Sequence, residues 1–259
     1  MKYSYLSDSV QIKTVHEKDT EGIFEIDGLY TGYGLTIGNA LRRVLLSSLP
    51  GAAITQVKIK GVGHEFTTLP NIAEDMVEIG LNLKKVRFQI FTDEPQTLSL
   101  RVKGEKRITA ADIGLNSMVK MFTPDTHIAT LTNKKAELEM ELTVEKGLGY
   151  SPAELRQGGK LPIGSIAIDA IFTPVISVNY SVENTRVGER TDYNKLHLKI
   201  VTDGTIKPSN AIRKASNILK DHFEKISAIA MPEVDEEIKK GEFKTESEEP
   251  KKKNKTKKQ

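Results

Sequence analysis

The sequence contains no cysteine, which removes disulfides, thiolate metal sites and a cysteine nucleophile together. Its five histidines, His16, His64, His127, His197 and His222, are scattered, with no two at the helical spacing of metal ligands. Each therefore reads as structural rather than as a ligand. No apolar run is long enough to span a bilayer, and nothing after Met1-Lys2-Tyr3-Ser4 has the pattern of a secretory leader. Aromatic residues make up only 6% of the chain, too few for the basic, aromatic-rich face of a free-standing nucleic-acid-binding module. There is no Asp-x-Asp-x-Asp run of the kind that holds catalytic magnesium, so the chain does not read as catalytic. What is present is ordinary for a soluble protein, with 259 residues, 38% hydrophobic and 28% charged. That is enough for one large core or two modest ones.

The net charge of +3 is unevenly spread. Residues 233–249 carry eight acids and three lysines, whereas residues 250–259 carry six lysines and no acid. The remainder is nearly neutral and offers no sign of a large basic face. After Met231-Pro232 the apolar residues thin to Val234, Ile238 and Phe243, so residues 233–259 are expected to be a disordered charged tail.

The chain is organised around Thr31-Gly32-Tyr33-Gly34-Leu35-Thr36-Ile37-Gly38-Asn39-Ala40-Leu41-Arg42-Arg43-Val44-Leu45-Leu46-Ser47-Ser48-Leu49-Pro50-Gly51. It reads as a loop given backbone freedom by three glycines, a helix over 36–49 capped by Asn39 or Thr36, and a stop at Pro50-Gly51. Ile37, Leu41, Val44, Leu45 and Ser48 share one face. Leu46 and Leu49 widen the apolar surface, and Arg42 and Arg43 sit within it rather than at its edge. Arg43 lies with Ala40, Leu46 and Ser47 on a flat surface suited to docking another protein. A glycine-rich loop ahead of a helix can also hold a phosphate. Here the spacing is G-x-G-x-x-x-G, not the dinucleotide G-x-G-x-x-G, and no Gly-Lys-Ser/Thr follows. A nucleotide-dependent enzyme is therefore the competing reading that the spacing opposes.

Elsewhere the pattern is mixed. Residues 9–29 read as a hairpin, with Val10, Ile12 and Val15 in one run, Ile23, Phe24, Ile26 and Leu29 in the next, and a turn over 17–22. Residues 54–60 read as a strand exposed on one face. Asn71 with Glu74 reads as a capping pair ahead of a helix carrying Ile72, Met76, Ile79 and Leu83, with Lys84 and Lys85 at its C-terminal end. From Val86 to Val144 the pattern is all strand, over 86–91, 97–102, 127–131 and 136–144. Glu137, Glu139 and Glu141 alternate with Leu138, Met140 and Leu142 and read as a solvated sheet face rather than a metal site. Further strands are expected over 163–172, 175–182 and 196–200. A last helix begins at Pro208, acceptable as a first helical residue. Ile212, Ala215, Leu219, His222, Ile226 and Ile229 form a seam along it, with Ile218 and Phe223 beside them. That seam suits packing on another helix or on the protein's own sheet; the spacing alone leaves both open.

The run from Gly32 through Val86 resembles the N-terminal region of the alpha subunit of bacterial RNA polymerase, whose hallmark is a glycine-rich turn followed by Gly-Asn-Ala-Leu-Arg-Arg and Leu-Leu-Ser-Ser. Similar marks follow in order: Gly61-Val62, His64-Glu65, Glu74-Asp75, Leu81-Asn82-Leu83-Lys84, Gly147-Leu148-Gly149-Tyr150, Pro162-Ile163-Gly164, Asp169-Ala170, Arg190-Thr191-Asp192 and Asp203-Gly204-Thr205-Ile206. The likeness covers about residues 5–232.

It implies an α+β fold: a discontinuous dimerisation domain over 1–51 and 174–232, with two long helices (36–49 and 208–230) on an antiparallel sheet, and an inserted β-rich domain over 52–173. It also implies a homodimer that nucleates assembly of the beta and beta prime subunits of a DNA-directed RNA polymerase, in the bacterial cytoplasm and nucleoid. By the resemblance, Arg43, Leu46, Lys84, Ile168 and Arg186 would contact the large subunits or support assembly. Tyr33, Ile37, Leu41, Val44, Leu219, His222, Phe223 and Ile226 would serve dimerisation. No cofactor is implied in this chain, and magnesium belongs to the catalytic subunit. Most such subunits continue into a small helical DNA-binding domain, absent here. In its place Lys251, Lys252, Lys253, Lys255, Lys257 and Lys258 either stand as a solvated tail, screened by the neighbouring acids, or make weak nonspecific contact with DNA.

Overall fold

The computed structural model describes residues 8–156 and 164–229. The chain opens with β1 (Gln11–Glu17) and β2 (Glu21–Leu29), then α1 (Tyr33–Ser47) and β3 (Pro50–Ile59). Next come α2 (Met76–Leu83), β4 (Phe88–Ile90), β5 (Gln96–Lys103), β6 (Lys106–Thr109), β7 (Ile113–Gly114), β8 (Val119–Met121), β9 (His127–Leu131) and β10 (Glu137–Leu148). β11 (Tyr150–Ser151), α3 (Ala153–Arg156), β12 (Ser165–Ala167) and β13 (Ala170–Ile171) lead to the long hairpin β14 (Val175–Val187) and β15 (Arg190–Thr202), and α4 (Pro208–Ser227) follows. The result is a mixed α+β fold whose strand pairings are antiparallel. One sheet has the order β1-β2-β15-β14, and a larger one the order β7-β5-β10-β3-β4-β8 with β12 beside β3.

Among the described residues two main cores result, with a small third cluster of Ala53, Ala170 and Phe172. One is drawn from residues between Ala52 and Ile168, including Val57, Ile79, Leu83, Leu100, Leu138 and Leu142. The other takes Phe24, Ile26 and Leu29, then Leu41, Leu45 and Leu49 of the α1 region, then Val175, Val178, Leu196, Leu198, Ile200, Ala211 and Ala215. The strands between alternate apolar and charged residues, as in β10, where Leu138, Met140 and Leu142 are buried. Glu137, Glu139 and Glu141 on its other face pair with Arg101, Lys103, Lys60 and Lys58, an ion-paired face of the sheet. The chain passes between the cores twice, and the crossings touch. A Cβ on Gly51 would lie 1.8 Å from the Phe172 carbonyl oxygen, and one on Gly147 would lie 2.6 Å from the Phe172 ring. Only glycine fits at either place. Arg87 ties the same region to the loop between β15 and α4, donating to the Ile171 carbonyl (3.0 Å) and lying 3.7 Å from the Asp203 carboxylate.

Several local expectations are corrected. Neither Asn39 nor Thr36 caps α1; the N-cap is Gly32, in the left-handed region at φ 86°, and Thr36 bonds back to the Gly32 carbonyl within the helix. Of the three glycines only Gly32 serves a conformational need. Gly34 and Gly38 are inside the helix, where a Cβ would meet Val182 at 2.6 Å and the Tyr180 ring at 2.7 Å, so they bring α1 close to β14. Pro50-Gly51 does not stop the helix but opens β3, because Ser48 already closes it with a bond to the Val44 carbonyl. The second helix starts at Met76, capped by Asp75, which accepts the Glu78 amide at 2.7 Å. Asn71 adopts a positive φ of 59°. The Glu74 carboxylate is drawn instead to β9, accepting the Thr130 amide (2.6 Å) and hydroxyl (3.0 Å) and pairing with His127 (2.8 Å). Burial pushes this carboxyl up, yet the Thr130 and His127 bonds outweigh it and leave it below its ordinary value.

One compact unit runs to Asp221, and the second begins at His222. The charged tail 233–259 and its lysines lie outside the described residues, as do Pro162 and Ile163. No helix among the described residues is long and apolar enough to cross a membrane.

Candidate interaction faces

α1 contributes the first face. Its periodicity turns Gly34, Gly38, Leu41 and Leu45 inward. Leu41 is only 4% exposed and belongs to the protein's own core. Ile37, Val44 and Leu46 are half-buried against that core. The outward side carries Tyr33, 44% exposed, and Leu35, 61% exposed. Leu35 falls before the helix expected over 36–49, whereas α1 begins at Tyr33 and takes it into the first turn. Arg42 and Arg43 are both exposed, and the Arg43 carbonyl accepts the Ser47 hydroxyl at 2.8 Å.

α4 splits its seam in two. As far as Leu219, the residues Ala211, Ile212, Ala215, Ile218 and Leu219 pack into the protein's own core. Beyond it the apolar side chains are exposed, Phe223 at 62% and Ile226 at 58%, with Ile229 beyond the helix end and His222 also exposed. The helix is held at its start by a distant carboxylate, since Glu17 of β1 accepts the Ser209 amide at 2.9 Å. Those Ser209 bonds lower the Glu17 carboxyl below its ordinary value.

Lys84 and Ile168 come together at a shallow groove of about 140 Å³, lined also by Glu65, Val77, Leu81 and Asp169. Lys84 donates to Asp169 at 2.8 Å, and the other Asp169 oxygen accepts the Ala153 amide at 2.8 Å. The Lys84 ammonium and the Ala153 amide hold the Asp169 carboxyl below the usual range. Ile168 is 5% exposed, so it shapes the groove from beneath. Arg186 stands apart on the β14–β15 hairpin, its guanidinium on the Gly188 carbonyl at 2.9 Å.

The segment Gly147–Tyr150 links the first face to the groove. A Cβ on Gly149 would lie 3.4 Å from the Ser47 carbonyl at the end of α1, and burial, then the Asp169 carboxylate, raise the Tyr150 hydroxyl above its ordinary value. Leu148 and Tyr150 are exposed between them. Sequence reasoning marked this Gly-Leu-Gly-Tyr run without giving it a task; its exposed apolar pair next to two glycines was the available signal.

The start of α1 is unsuited to a phosphate. The Gly32 and Gly34 amides that would bind one already donate to the Asn194 side-chain oxygen, at 2.8 and 3.3 Å. That geometry opposes the nucleotide-binding reading.

Comparison with known proteins bears on the family. Residues 57–173 match the family model described as the RNA polymerase Rpb3/RpoA insert domain. The chain is 50% identical over 214 residues to the DNA-directed RNA polymerase subunit alpha of Alkaliphilus oremlandii, covering 83% of this chain and 67% of that protein. It is 48% identical to the subunit of the same name from Symbiobacterium thermophilum, covering 83% and 68%. With the corresponding subunit of Roseiflexus castenholzii it shares 50% identity over 217 residues, covering 84% and 67%. On identity of that level along most of its length, this chain belongs to the family of DNA-directed RNA polymerase alpha subunits.

Proposed function

We propose that this chain works as the assembly subunit of a bacterial DNA-directed RNA polymerase, forming a homodimer on which the beta and beta prime subunits come together. The observation that carries the reading is the unfinished apolar surface of the α1 and α4 core, set beside a family whose members are named as polymerase alpha subunits. Tyr33 and Leu35 on α1 supply one exposed apolar surface of the kind that a partner covers, and Phe223, Ile226 and Ile229 at the end of α4 supply another. The dimerisation domain takes 1–51 and 174–232 and the insert takes 52–173, in keeping with the two separate cores and the extent of the insert match.

Arg43 and Leu46 meet one large subunit on this reading, and the groove of Lys84 and Ile168 meets the other, with Arg186 supporting assembly. Nucleotide addition and its magnesium belong to the large subunits, and this chain needs no cofactor of its own. It works in the cytoplasm, on DNA reached through the whole complex. The lysines from Lys251 to Lys258 add at most weak nonspecific contact with DNA.

Leu219 is a poor probe of the dimer, because it also packs in the protomer's own core. Ile226, 58% exposed, is the cleaner one. Ile226→Glu is expected to stay folded by circular dichroism and to sediment as a monomer at micromolar concentration, where the parent chain is a dimer. A monomeric parent under the same conditions would overturn the reading.

A further inference from the structure

α1 lacks a capping side chain of its own. Its N-cap is Gly32, so the first amides of the helix need an acceptor from elsewhere. Asn194, on β15 and 7% exposed, reaches across 162 and 160 positions of sequence to accept the Gly32 and Gly34 amides. Its amide nitrogen is directed to the Asn184 side chain at 3.4 Å. Four residues earlier on the same strand, Arg190 grips Asp192 with two bonds, at 3.0 and 2.7 Å. Asp192 in turn accepts the Thr31 hydroxyl at 2.8 Å, through both its backbone and its carboxylate oxygen. The Arg190 guanidinium also lies 5.1 Å from the centre of the Tyr30 ring and 5.4 Å from that of Tyr193, within reach of a cation–π contact. The Arg190 grip holds the Asp192 carboxyl far below the usual carboxylate range, with Thr31 adding to it. Tyr30, Thr31, Gly32 and Gly34 are thus each held by one short stretch of β15.

We propose that Asn194, backed by the Arg190–Asp192 clamp, is a positioning residue for dimerisation: it sets the entry and first turn of α1, and so presents Tyr33 and Leu35 to a second copy of the chain. This inference rests on the homodimer reading above. The reason lies in the geometry of the helix start. A glycine at the N-cap leaves the turn free to choose another path, and Asn194 is the acceptor that fixes the one seen. Tyr33 and Leu35 sit within that first turn and point outward, so their place follows from the path chosen.

The test compares Asn194→Ala with Asn194→Asp in the full chain. Alanine leaves two amides without an acceptor. Aspartate keeps the acceptor and adds a negative charge favoured at a helix N-terminus. Dimer dissociation is measured by sedimentation, and amide exchange is followed over residues 32–37 and, as an internal control, over 98–102. Asn194→Ala is expected to weaken the dimer about tenfold or more, the scale of buried donors left unpaired. Exchange should quicken over 32–37 and stay unchanged over 98–102, and Asn194→Asp should restore both readings. A change that merely loosened the whole fold would quicken exchange over 98–102 as well. Should Asn194→Ala fail to fold, Arg190→Ala at the exposed strand end decides by the same measurements: a weaker dimer supports the inference and parental affinity overturns it. A dimeric parent with an equally tight Asn194→Ala dimer overturns this inference alone. A monomeric parent overturns the homodimer reading and takes this inference with it.

Discussion

The two cores of this protein differ in how completely they close. Among the described residues, the core between Ala52 and Ile168 has twenty-seven buried apolar residues and only four half-buried ones packed against it. The core beneath α1 and α4 has thirteen buried and ten half-buried. In the first, α2 covers the larger sheet and buries Met76, Ile79 and Leu83 in its core. A single four-stranded sheet carrying two helices on small residues such as Gly34, Gly38, Ala211 and Ala215 leaves the outer sides of those helices uncovered. The first core is the more fully enclosed of the two, and on the homodimer proposed above a second copy would supply the missing layer of the other.

The largest effect that would sharpen this contrast is a deletion in the closed core. Leu100→Ala, at a fully buried site, should cost about 2–5 kcal/mol and leave the sedimentation of the folded protein unchanged. Thermal melts at several protein concentrations check it, and dissociation of the dimer by this change would break the contrast. Next comes Arg43→Ala. An arginine at the centre of an interface commonly contributes about 2 kcal/mol. This variant should keep its melting temperature and dimeric state yet lose capture of the beta subunit in a pull-down; a loss of stability comparable to a core deletion would make Arg43 structural.

A smaller effect is expected within the insert from Asp75→Ala. It removes the cap on the Glu78 amide and should cost about 1 kcal/mol, read by denaturant unfolding and independent of protein concentration. The smallest concerns acid. Because the folded Asp169 carboxyl lies below its ordinary value, the stability it contributes is present above the unfolded value of about 4 and is lost as pH falls through the folded one. Lys84→Met should raise the Asp169 midpoint toward the ordinary value in an NMR titration, since Lys84 is the chief cause of the shift. An unmoved midpoint would remove Lys84 from that role.

Much of the architecture was legible because it rests on periodicity. β9 was read with its observed ends, and β5 and α4 to within a few residues, from alternation or a 3-4 spacing alone. The ion-paired face of β10 was legible for the same reason. Caps were less so. The Asn71/Glu74 pair matched a capping pattern, but Glu74 found stronger partners in Thr130 and His127 of β9. A local pattern cannot reveal such competition. The small strands β6 and β8 were missed, being too short to show a period.

On its own the sequence determined the longer elements and their apolar faces, the absence of cysteine chemistry, and, through ordered motifs, the family. It also singled out Arg190-Thr191-Asp192 and the glycine turn before α1 as separate marks. Only the tertiary structure joined them, placing Asn194 and Asp192 against Gly32, Gly34 and Thr31 from about 160 positions away. Tertiary structure alone also divided the α4 seam at Leu219 into a half that packs at home and a half left bare. The physical reason is the same in both cases. Spacing along a chain records which side chains share a face, whereas the partner each face meets depends on contacts between residues far apart in sequence.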